Sequence, residues 1–267
     1  MSKAQYLAIG VAIVMAGALG MWVWLSSATN FRFDGSQATS GELSYDIAPT
    51  GDRSYVESTE FYDIKASYPD TTPLGQTVGK GADSAAVNAM ESWISGQVRG
   101  FISMGDFDNL TEEDKQMIGF ASGRKYTLEI SYDRYESPET VSYVYSTYED
   151  TLGAHPNGYF KTFVFDKRTG AEITLGDMLG GDWLERISTI SRRQIVAHLT
   201  EESGGEAPTL FEEGLAPEEG NFLNAYLDGN EIVILFDRYQ VVAYAAGPQE
   251  VRIDRKDVAD ILKSEYR

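Results

Sequence analysis

The alternation of apolar and polar positions divides the chain into three zones. From Ala4 to Leu25 the chain reads AQYLAIGVAIVMAGALGMWVWL and holds no charged residue. About 20 such residues, rising 1.5 Å each as a helix, cross a hydrocarbon layer of about 30 Å. Residues 1–28 are therefore expected to be a single-pass membrane anchor through residues 4–25. Trp22 and Trp24 stand at its outer end, and Lys3 favours a cytoplasmic N-terminus. The competing reading is a secretory signal cleaved after Ser26-Ser27-Ala28, which would release a secreted protein. Both readings place the remainder outside the cytoplasm, on the cell membrane or the cell surface. Residues 29–55 are rich in Ser, Thr, Asn, Asp and Gly and read as a linker, or in part as a strand around Glu42–Ile47.

Beyond the linker, two periods alternate. Glu60–Ser67 reads as a strand ended by Tyr68-Pro69. Ser84–Met104 reads as a helix, because Val87, Met90, Ile94, Val98 and Phe101 recur at spacings of three and four. Lys125–Asp133, the stretch through Val141, Tyr143 and Tyr145, and Phe160–Phe165 repeat with a period of two. Consecutive strands of this kind predict an antiparallel meander. The Asp166–Gly170 turn leads into Ala171–Leu175. Asp182 followed by Glu185 predicts a capping box at the start of a helix with an apolar stripe of Trp183, Ile187 and Ile190, ended by Ser203-Gly204. Residues 204–220 read as a loop. Asp228-Gly229-Asn230 predicts a hairpin between Asn221–Leu227 and Glu231–Phe236. A short strand at Val251–Ile253 and a helix from Asp254 complete the pattern. The fold class expected is α+β: antiparallel sheets with packed helices, in two related subdomains behind an N-terminal transmembrane helix.

Composition narrows the function. The chain has 267 residues, with 41 Asp and Glu against 22 Lys and Arg, and a net charge of −19. Without Lys3 the exported part carries −20. A general nucleic-acid binder is basic, so nucleic acid is not an expected partner. There is no cysteine and only two histidines, His155 and His198. Disulfides, thiolate metal sites, iron–sulfur clusters and cysteine nucleophiles are excluded within this chain, as is a single-chain site of three histidines. No metal site and no cofactor is expected.

Catalytic motifs are weak. There is no G-x-S-x-G elbow. Ser122-Gly123-Arg124-Lys125 fits S-x-x-K but stands without companion motifs, and reads as a polar turn. Asp106, Asp108, Glu112 and Glu113 resemble the start of a calcium loop but lack its third spaced ligand and central glycine. Thr111 reads instead as the cap of a short helix, with Asp114 at its third position. Paired carboxylates remain open among so many acidic residues. Tyrosine is the more unusual feature: ten aromatics fall between residues 126 and 165. Most of them sit at core-facing spacing, whereas Tyr135 and Tyr148 lie beside expected turns.

Several segments together carry a resemblance. They are Tyr62-Asp63-Ile64-Lys65 with Ser67-Tyr68-Pro69, the helix with Asn88, Ile94 and Phe101, and Gly153-Ala154-His155-Pro156-Asn157. Tyr159–Phe165, Lys167, Thr169-Gly170 and Ile173-Thr174-Leu175 continue it, as do Phe236, Tyr239-Gln240-Val241 and Ala245-Ala246-Gly247-Pro248. In this order they resemble a tandem pair of domains of unknown function. The pair is found in the extracytoplasmic part of the RsiV anti-sigma factor and beside the deacetylase domain of PdaC, a peptidoglycan deacetylase. The resemblance covers about residues 56–264 and implies two such domains, at 56–152 and 153–267. It implies a bacterial envelope protein; in RsiV this region binds lysozyme, and in PdaC it accompanies cell-wall carbohydrate chemistry. Only Met1–Lys3 precede the uncharged run, so no sigma factor is expected as partner. Two histidines cannot rebuild the deacetylase metal site.

The function expected is thus a membrane-tethered extracytoplasmic binding or sensing module, not an enzyme, for a basic lysozyme-like protein or for peptidoglycan. The alternative is a carboxylate-dependent cell-wall hydrolase or an accessory subunit of a wall-modifying enzyme. The ligand-binding residues expected are His155, Pro156 and Asn157 in a Pro- and Gly-restricted loop, with Tyr148, Tyr159 and Tyr135 around it. His155 either meets the ligand or fixes the shape of the loop.

Overall fold

The computed structural model describes residues 53–74, 80–206 and 208–267. The expected anchor, most of the linker and the alternative strand at Glu42–Ile47 lie outside the described residues. Among the described residues, no helix is long and apolar enough to cross a membrane.

The first half holds strands β1 (Arg53–Ser58), β2 (Tyr62–Tyr68), β3 (Tyr126–Glu136), β4 (Thr140–Asp150) and β5 (Asn157–Asp166), which form one sheet in that order. Helix α1 (Lys80–Gly105) and the short helix α2 (Glu112–Ile118) separate β2 from β3. The antiparallel meander that the periodicity predicted is β3–β4–β5, but the sheet as a whole is mixed rather than antiparallel. β2 and β3 run parallel, because a long helical crossover joins them. The end of the expected linker is also corrected: residues 53–55 belong to β1, which pairs with β2 from Arg53↔Tyr68 to Ser58↔Asp63. Thr111 caps α2 as expected, its hydroxyl accepting from the Asp114 N–H at 3.1 Å while the Asp114 carboxylate accepts from the Thr111 N–H at 2.9 Å.

The second half holds α3 (Leu175–Met178), α4 (Trp183–Glu202) and an antiparallel sheet of β6 (Ala225–Asp228), β7 (Glu231–Phe236) and β8 (Gln249–Asp254). The β6–β7 turn is the tight hairpin that Asp-Gly-Asn predicted, with Gly229 at φ 56°. The capping box expected at Asp182 does not form. Asp182 has ψ 40°, outside the extended region from which a cap side chain reaches back to the first turn. Residues 204–220 are not a plain loop: two 3-10 turns, Glu212–Leu215 and Glu219–Phe222, drive Leu215 and Phe222 into the core. The stretch after Gly170 makes one bridge, Phe165↔Glu172, before α3 begins. The helix expected from Asp254 is a single 3-10 turn, Arg255–Val258. Arg255 is buried there, paired with Glu139 of the first half at 3.0 Å and bonded to the Tyr266 carbonyl.

The period of two puts alternate residues of both sheets into different cores. On β4 and β5, Tyr143, Tyr145, Phe163 and Phe165 pack with Met90, Ile94, Val98 and Phe101 of α1. Ala86 joins them, and Val87 stays half-buried. On β6 and β7, Ala225, Leu227, Ile232, Ile234 and Phe236 pack with Ile187, Ile190 and Ile195 of α4. The opposite faces meet: Val144 and Val164 of the large sheet pack against Tyr226, Val233 and Leu235 of the small one. The result is four layers, helix–sheet–sheet–helix, in which the small sheet covers the large one over β3–β5. β5, which follows position 153, belongs to the five-stranded sheet, so that sheet runs across the point where the second domain was expected to start.

Candidate functional site

Two loops meet beside the outer edge of the large sheet. The first, residues 151–156, joins β4 to β5, whose register begins at Glu149↔Asn157. Its shape is set at Leu152, which has φ 59° and an N–H donating to Asp150 Oδ1 at 2.8 Å. The second, residues 237–248, joins β7 to β8. It opens with a reverse turn in which the Gln240 N–H donates to the Asp237 carbonyl at 3.1 Å. The Gln240 side chain accepts from the Asp237 N–H at 3.0 Å and donates to the Asn221 carbonyl at 3.0 Å.

Aromatic rings join the loops. His155 stacks on Tyr244 with centroids 3.9 Å apart and planes 24° from parallel. The Tyr244 hydroxyl donates to the Pro156 carbonyl at 2.7 Å. The Arg238 guanidinium lies over the Tyr244 ring at 4.9 Å. Tyr239 stands 5.4 Å from Tyr244, and its hydroxyl is 3.4 Å from His155 Nε2. Nδ1 of the same imidazole is 3.1 Å from the Pro156 carbonyl. Tyr239 is 52% exposed and has φ 64°. It occupies the third position of its turn, where a left-handed backbone favours glycine or asparagine. A large aromatic there costs about 1–2 kcal/mol of backbone strain, and exposure returns little packing for it.

Beside these rings lies a shallow cleft of about 460 Å³, lined by Phe160, Leu223, Asn224, Leu235, Asp237 and Gln240 among others. One wall is the edge strand β5. Its outward N–H groups are already taken: Phe160 donates to Asp237 Oδ1 at 2.8 Å and Thr162 to Asn224 Oδ1 at 3.3 Å. The Thr162 hydroxyl donates to the Leu223 carbonyl at 3.1 Å. The edge is thereby closed to a further strand. Burial raises the carboxyl pKa of Asp237, and the Phe160 N–H opposes that shift.

The expected site residues separate. His155 and Pro156 lie in the joined loops. Asn157 is exposed at the start of β5, its Oδ1 accepting from the Gly158 N–H at 3.0 Å. Tyr148, opposite Gly158, is half-buried; burial pushes its hydroxyl pKa up, with Asp150, Glu129 and Tyr244 adding to the rise. Tyr159 points to the opposite face of the sheet, where its hydroxyl donates to Gln97 of α1 at 2.9 Å. Strand alternation accounts for this, since neighbours 158 and 159 face opposite ways. Tyr135 belongs to the sheet–sheet core, its ring 4.6 Å from Tyr226. The turn beside it did not expose it, because the small sheet covers that face. Arg238, Tyr239 and Tyr244 were not singled out as site residues. The available signal was a bulky tyrosine in the polar Asp-Arg-Tyr-Gln run directly after an apolar strand.

No group of three or more His, Asp or Glu side chains suited to a metal ion occurs among the described residues. The residues named as lining the cleft include one carboxylate, that of Asp237.

Residues 177–256 match the family described as "Protein of unknown function (DUF3298)". That stretch includes α4, the small sheet and the second loop. The peptidoglycan-N-acetylmuramic acid deacetylase PdaC of Bacillus subtilis is 31% identical over 130 residues, which is 48% of this chain and 27% of that protein. This chain therefore spans about a quarter of the length of that relative, and the likeness to PdaC read in the sequence is found over about half of the chain. Among solved structures, a DUF3298 family member from Bacteroides fragilis shares the fold with a TM-score of 0.50 at 19% identity, over 84% of this chain and 95% of that one. A DUF3298 protein from Pseudomonas aeruginosa matches with a TM-score of 0.48 at 14% identity, over 85% and 97% of the two chains.

Proposed function

We propose that this chain is a membrane-tethered, extracytoplasmic binding module of the bacterial cell envelope that holds cell-wall glycan on the face built by its two joined loops. The observation that carries this reading is Tyr239. It is an exposed aromatic held in a strained backbone beside the His155–Tyr244 stack. Strain kept at an exposed position signals use of the side chain rather than packing. Aromatic faces stack on the apolar faces of sugar rings, and the polar groups of the adjoining cleft suit hydroxyl and amide partners. The relative PdaC is named for action on N-acetylmuramic acid of peptidoglycan, which agrees with a wall ligand.

The module acts by binding and positioning, without metal, cofactor or catalytic residue. A carboxylate-dependent hydrolase places two carboxyl groups about the scissile bond. Asp237 is the one carboxylate among the cleft residues, which weighs against the hydrolase alternative. A second reading, capture of a basic lysozyme-like protein, draws on the −20 charge of the exported part. That charge speeds encounter with a basic protein at low salt.

Cosedimentation of the full chain with purified peptidoglycan tests the choice. We expect retention that persists in 0.5 M salt and falls with Tyr239→Ala. Lysozyme capture that disappears in salt, with no retention on peptidoglycan, would replace the glycan reading with the second one.

A further inference from the structure

The cleft beside Tyr239 carries a more specific reading, which rests on the glycan-binding proposal and deepens it. Asp237 and Asn224 each use one side-chain oxygen to cap an outward N–H of β5. Their second polar atoms, Asp237 Oδ2 and Asn224 Nδ2, have no partner among the described residues. The first is a hydrogen-bond acceptor and the second a donor. The two capped N–H groups are two residues apart on one extended strand, or about 6.8 Å. A trans secondary amide places its N–H and C=O on opposite sides. The side chains that cap the two strand N–H groups set an acceptor and a donor beside one another along β5, the pair of partners that one secondary amide needs. Leu223, 60% exposed, and Leu235 supply an apolar wall for a methyl group attached to that amide.

We propose that Asp237 and Asn224 form a subsite for the acetamido group of an N-acylated amino sugar: Asp237 Oδ2 accepts from the amide N–H, Asn224 Nδ2 donates to the carbonyl, and Leu223 covers the methyl. A peptide amide has the same chemistry, but an extended peptide would seek the edge of β5. The N–H groups it would need at Phe160 and Thr162 are already occupied. A sugar needs no strand edge. Tyr239 sits in the turn between Asp237 and Gln240, both of which line the cleft, so the exposed ring belongs to the same segment as the subsite.

The test is calorimetric titration of the full chain with chitotetraose and with cellotetraose. Both are neutral β-1,4 tetramers, and they differ in an acetamido group or a hydroxyl at carbon 2. The wild type is expected to bind chitotetraose at least tenfold more tightly, the scale of one well-placed polar pair. Asn224→Asp and Asp237→Asn each keep the oxygen that caps β5 and change the atom facing the cleft. Each is expected to erase the preference, the chitotetraose affinity falling to that for cellotetraose, without lowering the melting temperature at pH 7. Equal affinity of the wild type for the two tetramers would overturn the subsite. So would a preference that survives both variants. Loss of both affinities in Tyr239→Ala would then show that the glycan reading still stands. Failure of the wild type to bind either tetramer would overturn the subsite together with that reading. Tighter binding of a short extended peptide, lost in Asn224→Asp, would reassign the cleft to peptides.

Discussion

The Tyr244 hydroxyl donates a 2.7 Å hydrogen bond to the carbonyl oxygen of Pro156, which lies 88 residues earlier in the chain. The contact fastens the β7–β8 loop to the β4–β5 loop, and the His155 ring stacks on the same tyrosine. Removing the hydroxyl leaves the Pro156 carbonyl without this donor, which costs about 0.5–1.5 kcal/mol. Tyr244→Phe is therefore expected to lower the melting temperature by a few degrees and to weaken glycan binding, because the two loops no longer hold one geometry. Differential scanning fluorimetry and titration on the same preparation check both effects. Binding unchanged at a lowered melting temperature would confine Tyr244 to structure.

Tyr239 should behave in the opposite way. Its left-handed backbone suits glycine, so Tyr239→Gly relieves strain of about 1 kcal/mol while deleting the ring. We expect an equal or higher melting temperature together with at least a tenfold loss of glycan affinity. A clear drop in stability would show that the ring serves packing.

The Asp166 carboxylate ties β5 to the end of the chain by accepting from the Tyr266 hydroxyl at 2.9 Å. Burial opposes ionisation of Asp166, but the Tyr266 hydroxyl and the Thr169 and Arg168 N–H groups outweigh it and hold the carboxyl below its usual range. A lowered carboxyl pKa contributes stability above the unfolded value of 3.8 and loses it as pH falls through the folded value. The Tyr266 hydroxyl is pushed up to about 12, by burial first and by the Asp166 bond next. That contribution is present below pH 10 and lost as pH rises toward 12. Denaturation curves of Tyr266→Phe are expected to show lower stability at pH 7 by about 1–2 kcal/mol, and a difference from wild type that shrinks at both extremes. A difference constant from pH 2 to 12 would contradict the linkage.

Asp237 carries the reverse sign. Burial raises its carboxyl pKa, so its ionisation weakens the fold as pH rises above the unfolded value and through the raised one. Asp237→Asn keeps the acceptor for the Phe160 N–H and removes the buried charge. The variant is expected to melt at or above the wild-type temperature at pH 7, with the gain vanishing in acid. Thermal melts between pH 3 and 8 decide it; destabilisation at pH 7 would mean that the charge has a partner that stabilises it.

Local signals made the elements legible. The stripe ending at Phe101, the tyrosine alternation of β4 and the Gly229 turn each report a contact within a few residues. The parallel pairing of β2 with β3 was not legible, since nothing in either strand fixes direction; the length of α1 between them does. Tyr135 was misjudged because the sheet covering it lies about 90 residues away in sequence. Gly214 reads as loop punctuation, yet a Cβ there would fall 1.8 Å from the Gln240 carbonyl oxygen, so it marks a close approach of that segment to the second loop. His155 was legible as a candidate from its Pro- and Gly-restricted loop. Its partners Tyr239 and Tyr244 come from a distant loop that only folding brings near.

The most direct test of the account is a map of backbone amide chemical shifts on the full, deuterated chain during titration with a soluble disaccharide muropeptide. Glycan binding at the joined loops predicts saturable shifts concentrated in residues 151–162 and 223–247, absent in Tyr239→Ala. No shifts at millimolar muropeptide, or shifts confined to α1, α2 or the outer edge of β1, would contradict it.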